Sequence, residues 1–484
     1  MRSTVKRVGN LVAAHGLVIA STGLVLLVFA PALVQGGLLA DDYIKCLGPS
    51  QAGGYGNFLR EIWRDTGVVR PAQVIEILLI SKTCTQLPFG LVMLVPLSLK
   101  FAAGLLLWGL LCDLRVQTPW PEVGVAMWLL EPVGTEAALW PSALHVHLGL
   151  VCALAALRLY RRGWLAWAVL ASAGAALSVE QVIFALPFAV WVTGSREHRR
   201  RATAVATVLM AIVIVSYAMW PGHNERQALT LGERWHNAVA KGAWYVFFPT
   251  SGVGLYSGAL GFLWAFPYSI AVVVVGAVSG ALLFARLLHG QTTPLLEAGS
   301  RARMALAVGV LIVLVNVPLI VTEVGYSART FTPTWLVISG AVAGAGASVA
   351  WRRVRAFGAL AGAFAAMAIL SLALSVFVRV RTDKFNRAAA AWIAARTVDG
   401  ATVAVCDVDR TVVNPAPLGA FHLHELHSEW SSWIEYHTGR RVRIRRSGQR
   451  YWGARCPDLR GATLVISFPR LVRELSPPDN RYPR

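Results

Sequence analysis

Apolar residues in this chain run in long unbroken blocks, without the strict alternation of a half-buried strand. Blocks of about 18 to 25 residues match the hydrocarbon thickness of a bilayer crossed by a helix. They lie near 11–35, 87–112, 138–157, 202–220, 266–288, 303–322, 333–350 and 357–378. A shorter block, 119–133, is broken by Pro121 and Pro132, and 164–193 holds two short blocks that meet at Ser178-Val179-Glu180-Gln181. Together they predict about eleven transmembrane helices.

The basic residues alternate with this pattern. With the N-terminus inside, the inside segments carry 17 basic and 3 acidic residues, from Arg2, Lys6 and Arg7 to Arg352, Arg353 and Arg355. The first outside loop, 36–86, carries five of each sign. This is the distribution that positive-inside orientation produces. An odd number of spans then leaves 379–484 outside. That tail is basic, 18 against 10, but long domains cross largely regardless of charge. It predicts a helix around 384–396, a Trp-rich helix around 425–437, and strands at 401–406, 441–446 and 462–468.

The expectation is a polytopic α-helical membrane protein with a small α/β extracytoplasmic C-terminal domain. Residues 1–378 form the transmembrane domain and 379–484 the outside domain. The protein would sit in the plasma (inner) membrane as a multi-pass chain with a cytoplasmic N-terminus. Its first apolar run is too long, and lacks the cleavage pattern, for a removed signal peptide.

Composition sharpens the class. Of 484 residues, 56% are hydrophobic and 14% charged, where a soluble protein carries roughly a quarter charged. That excludes a soluble enzyme, a disordered chain and a coiled coil. The net charge of +20 fits membrane asymmetry better than a nucleic-acid partner. Cys46 and Cys84 share the first outside loop, and Cys406 and Cys456 share the tail. Disulfides persist on an oxidising face, so this topology permits two pairs; four free thiols are the alternative.

Candidate chemistry gathers toward the outer face. Asp41-Asp42-Tyr43 follows the first span. Adjacent carboxylates raise one another's pKa, which suits a general base or metal pair at a cavity mouth as well as a solvated loop start. Tyr55, Phe58, Leu59, Ile62 and Trp63 recur at helical spacing opposite Asn57, Arg60, Glu61, Arg64 and Asp65. Such an amphipathic helix suits the membrane interface. Glu180 is either an intramembrane carboxylate or an acid at a wet turn. In Glu323-Val324-Gly325-Tyr326-Ser327-Ala328-Arg329, the lone Arg329 beside Tyr326 suits a phosphate, or else pairs with Glu323 or lipid headgroups. Loop 221–262 is polar, then aromatic, and covers a cavity or simply anchors at the interface.

Weaker features read as structure. His422, His424 and His427 do not all fall on one helical face, with no second cluster to complete a metal site, and His145 and His147, two apart, read as packing residues. Arg440–Arg450 reads as a basic strand surface, and Lys100 as the only obvious deep charge. No Walker, GxGxxG, GxSxG or HExxH motif is present.

The assembly of Asp41-Asp42-Tyr43, the amphipathic stretch Tyr55–Trp63 and the tail after Phe377 resembles the GT-C glycosyltransferase superfamily. The resemblance covers most of 1–378 in architecture and a few residues in motif. It implies inverting transfer of a sugar from a polyprenyl-phosphate donor to a glycan, lipid or protein acceptor at the outer face. Asp41 or Asp42 would be the base, with Asp41 slightly ahead because superfamily bases tend to be the first acid. Arg329, Tyr326, Glu180 and Glu323 would face the donor. The chain departs from the family in having Glu180 where many members carry lysine, and in lacking a Trp-Trp-Asp signature. No cofactor is firmly implied, and a divalent metal on the two acids ranks second. The alternatives are a multi-span transporter or flippase, which should show internal repeats, and a non-enzymatic envelope scaffold.

Overall fold

The computed structural model describes residues 2–35, 41–66, 71–84, 86–130, 138, 140–218, 232, 298–321, 332–346, 384, 387–406, 430–445 and 460–467. The first helix, α1 (Arg2–Gln35), is interrupted at His15 (φ −126°, ψ 21°), where a basic N-terminal segment meets the apolar run. Three short helices fill the loop after it: α2 (Asp41–Gln51), α3 (Tyr55–Thr66) and α4 (Pro71–Thr83). Next come α5 (Phe89–Asp113) and α6 (Trp120–Leu129). A 3-10 turn at Pro141–Ala143 leads into α7 (Leu144–Arg161). Then follow α8 (Leu165–Ala176), α9 (Gln181–Thr193), α10 (Arg199–Ala218), α11 (Ala298–Val321) and α12 (Thr332–Gly346).

Among the described residues, three helices are long and apolar enough to cross a membrane: His15–Val34, Phe89–Asp113 and Pro141–Arg161. This is a helical fold of the kind membrane proteins use, because a helix satisfies its own backbone groups without water. The expected spans at 266–288 and 357–378 lie outside the described residues. Helices α8 and α9, of 12 and 13 residues, are shorter than a bilayer requires.

Packing is close where side chains are small. Gly124 of α6 lies against Ser339 and Ala343 of α12, and Gly346 of α12 lies under the Trp120 ring. A side chain at either glycine would force the two helices apart, as at small-residue contacts in membrane bundles. Lys100 of α5 is wholly buried, its Nζ 5.1 Å above the Trp128 ring, while Trp128 Nε1 donates to the Lys100 carbonyl at 2.8 Å. The stem is thereby absorbed into the bundle.

Charges mark the two ends of the bundle. At one end Asp113 accepts from Arg158 Nε at 2.9 Å and lies 3.6 Å from Arg162, while Arg161 Nη1 donates to the Thr193 carbonyl at 2.5 Å. These contacts gather the ends of α5, α7 and α9. At the other end lie the close of α1, where Leu33 touches Gly90, the loop helices and the start of α7.

The tail carries a helix over 387–394, α13, then β1 (Thr402–Cys406), α14 (Trp430–Thr438), β2 (Arg443–Arg445) and β3 (Leu464–Ser467). These positions coincide with the helices and strands expected from the sequence. The strands are parallel, ordered β2-β1-β3, with Val403 opposite both Ile444 and Leu464. Ala389, Ala390, Ile393, Val403, Val405, Trp433, Ile434 and Ile466 are all buried there.

Candidate functional site at the mouth of the bundle

A helix that begins in the protein interior leaves its first backbone N–H groups without helical partners. The run Pro141–Arg161 begins in this way, with Pro141, Ser142 and Ala143 buried. Two acids from the loop meet that need. Asp42 of α2 accepts from the Ser142 backbone N–H (3.2 Å) and from Ser142 Oγ (2.5 Å) through one oxygen. Glu76 of α4 accepts from the His145 backbone N–H at 2.9 Å, with the His145 Nδ1 at 2.7 Å. Negative charge at a helix N-terminus is also favoured by the helix dipole.

The same acids tie the loop together. Lys45 stands one turn after Asp42, and its Nζ donates to the second Glu76 oxygen at 2.9 Å. Asp42 and Lys45 on α2 therefore face Ser142 and His145 on the start of α7, with Glu76 between the outer pair. Asp42 and Glu76 are wholly shielded from solvent, or nearly so. Burial pushes the Glu76 carboxyl up; the Lys45 and His145 charges and their hydrogen bonds outweigh it and hold the group down at about 2. Glu76 is thus an anion near neutral pH, held between Lys45 and His145.

Covalent and steric contacts complete the frame. The Cys46–Cys84 disulfide joins α2 to the end of α4, with Cα atoms 5.9 Å apart. Cys406 is disulfide-bonded as well; its expected partner, Cys456, lies outside the described residues. The turn from α2 to α3 uses Gly53 (φ 74°) and Gly54 (φ 139°), conformations that side chains disfavour. The Phe58 ring occupies the space beside Gly48 that a Cβ would need, and Tyr55 Oη lies 2.7 Å from Ser81 Oγ on α4. The stripe of α3 that suited a membrane interface is therefore used, at Tyr55 and Phe58, against the loop's own helices. Asn57, Arg60 and Glu61 are exposed, as the pattern requires.

From the opposite side, α14 of the tail touches α2. Tyr43, wholly buried, has its Oη 3.2 Å from His437 Nε2, and Gln51 Nε2 donates to Glu435 Oε2 at 2.8 Å. Burial, and the Arg387 charge after it, push the His437 imidazole down to about 4. Its ring is neutral near pH 7, so Nε2 can accept the Tyr43 phenol proton.

The residues singled out in the sequence fare differently. Asp42 is brought into this junction. Asp41 opens α2 one residue earlier, and its side chain lies outside the described residues. Glu180 does not join the two acids. It sits where α8 turns into α9, and that turn packs on Gly149, about 10 Å along α7 from Ser142. It is half-buried. Glu323, Tyr326 and Arg329 lie outside the described residues, as do His422, His424, His427 and nearly all of loop 221–262.

His145, read as a packing residue, is a polar partner of Glu76, whereas His147 packs edge-on against Trp128 with ring centroids 6.0 Å apart. Glu122 adds a further buried acid, 3.3 Å from His15 Nδ1 at the α1 break. Lys45, Glu76, Ser142, His145 and His437 were not singled out from the sequence as a site. The available signal was Glu76 itself, a lone acid inside the apolar run Val74–Ile80. Among the described residues, no group of three or more His, Cys, Asp or Glu is arranged to hold a metal ion. No protein-family model matches this chain, and comparison with curated proteins returns no match.

Proposed function

We propose that this chain is a membrane glycosyltransferase that moves a sugar from a polyprenyl-phosphate donor to a glycan, lipid or protein acceptor at the outer face of the plasma membrane. The observation that supports this reading is the placement of one of the two adjacent acids. Asp42 is buried and committed to Ser142 at the start of α7. That anchor holds the first turn of α2, which begins at Asp41, and on this reading Asp41 is the base.

In the proposed step the Asp41 carboxylate takes the proton of an acceptor hydroxyl as its oxygen attacks the anomeric carbon. The bond from that carbon to the phosphate oxygen breaks on the opposite face, and its electron pair leaves with the polyprenyl phosphate. Arg329 and Tyr326 would meet the phosphate charge. Glu180, further along α7, and Glu323 would face the donor sugar. The polyprenyl chain would lie between spans, which is why such an enzyme belongs in a membrane.

The tail contact supports the full topology of about eleven spans with an α/β domain outside. Helix α14 touches α2, so tail and first loop share one end of the bundle. On this reading an even number of crossings, ten after α1, separates the first loop from the tail.

Mass spectrometry of envelope glycolipids and polysaccharides tests the function in a deletion strain complemented at matched protein levels. Wild type should restore a missing sugar and Asp41→Asn should not, a loss of about 100-fold or more. Asp42→Asn keeps an amide oxygen for Ser142 and should restore part. Full restoration by both variants would remove the transferase reading. Transport would then be favoured, on the buried Lys100 and the His15–Glu122 pair.

A further inference from the structure

The tail helix does more than touch the loop at its rim. Tyr43 is the residue after Asp42, and its side chain enters the α2–α14 contact, where it has no exposed surface. Its ring meets Tyr436 edge-on at 5.4 Å and His437 at 5.6 Å between centroids, and its hydroxyl meets His437 Nε2. About 12 Å further along α2, Gln51 holds Glu435, whose other oxygen accepts from Arg441 Nε at 3.0 Å. Helix α14 is itself anchored: Trp433 and Ile434 are buried with the strands, and Arg440 Nη1 donates to the Ala394 and Thr397 carbonyls at the end of α13. The tail helix therefore contacts α2 at both ends, and the contact at the turn that carries the acids is the buried one.

We infer that Tyr43 and His437 form a clasp that makes the tail a structural part of the acid site, with His437 a positioning residue for Asp41. The inference rests on the transferase reading only for its consequence in activity. The first turn of α2 is held from two sides, by Ser142 through Asp42 and by His437 through Tyr43. The Lys45–Glu76 pair and the Cys46–Cys84 disulfide hold α2 one turn further on, so losing either of the two holds loosens chiefly the end that begins at Asp41. The tail acts on the site by fixing that turn.

The test uses the full-length protein in nanodiscs, with hydrogen exchange followed by mass spectrometry over 41–51 and 430–438. Product is measured in the complemented deletion strain. Tyr43→Phe removes one oxygen and keeps the ring, so it guards against misfolding; His437→Phe removes the acceptor; His437→Gln returns one. Both phenylalanine variants should speed exchange in the first hydrogen-bonded turn of α2, at the amides of 45–47, by about fivefold to tenfold and lower product by about tenfold. His437→Gln should recover both. Gln51→Ala, at the other end of α2, should leave that turn at the wild-type rate.

Unchanged exchange in His437→Phe would overturn the clasp. So would an equal acceleration in Gln51→Ala, because docking as a whole would then be the cause. Faster exchange with wild-type product would overturn the positioning role. Faster exchange in a protein whose wild type transfers no sugar would uphold the clasp and remove the transferase reading instead.

Discussion

Replacing Glu76 by Gln changes one atom and removes the charge on which the loop, α4 and α7 converge. The carboxylate takes Lys45 at 2.9 Å on one oxygen, and the His145 ring at 2.7 Å with the His145 backbone N–H at 2.9 Å on the other. Gln keeps one acceptor and turns two donors toward groups that themselves donate. Lys45, with only 11% of its side chain exposed, loses its counter-charge in a dry site. Breaking one partner of a buried pair costs about 3–5 kcal/mol, and the Lys45 and His145 charges that hold this carboxyl down to about 2 mark it as engaged in its charged form. Denaturant titration in detergent micelles, followed by tryptophan fluorescence, should show a loss of about 3 kcal/mol. Lys45→Met combined with Glu76→Gln should recover about 1–2 kcal/mol, because the second change removes the stranded charge. A Glu76→Gln protein within about 0.5 kcal/mol of wild type, or a double variant equal to the sum of the singles, would refute this account of the junction.

Two further outcomes follow from the same frame. Cys46→Ser with Cys84→Ser frees a segment of 38 residues, and loop-closure entropy sets the loss at about 4 kcal/mol; the same titration reads it, with the bond itself confirmed by a non-reducing gel shift. Acid should loosen the site in two windows. His437 binds protons less readily folded (about 4) than in its ordinary state (6.5), so its share of stability is present above 6.5 and is lost as pH falls toward 4. Glu76, ordinarily at 4.5 and here at about 2, loses its share between those values. Exchange over 430–438 should therefore rise before the junction at α7 opens, and His437→Phe should abolish the upper window only.

Much of the fold was legible in the chain because its signals are local. The apolar blocks at 11–35, 87–112 and 138–157 became the three helices long enough to cross a membrane, and the tail strands fell where β-branched runs stood. The pairing of Cys46 with Cys84 was permitted by their shared loop and is present. The first-loop stripe Tyr55–Phe58–Leu59–Ile62 was correctly read as one face of a helix, but not its partner. A hydrophobic face calls for an apolar neighbour without specifying lipid or protein, and here Gly48 and Ser81 on neighbouring helices supply contacts.

The acids show the same division. Asp41-Asp42 stood out because like charges adjacent in sequence at a membrane boundary need a reason. Glu76, Lys45 and His145 come from three separate segments, and no spacing rule joins residues 45, 76 and 145. His145 and His147 illustrate the limit: two apart on one helix, they face different neighbours, so one meets Glu76 and the other Trp128. Tyr43 and His437 are 394 residues apart. The sequence alone determined the elements, because helix length, apolar period and turn residues act over a few neighbouring positions. The tertiary structure alone decided that Asp42 and Glu76 meet the buried start of the Pro141–Arg161 run. That choice depends on which N–H groups packing brings out of water, and only the assembled chain brings them together.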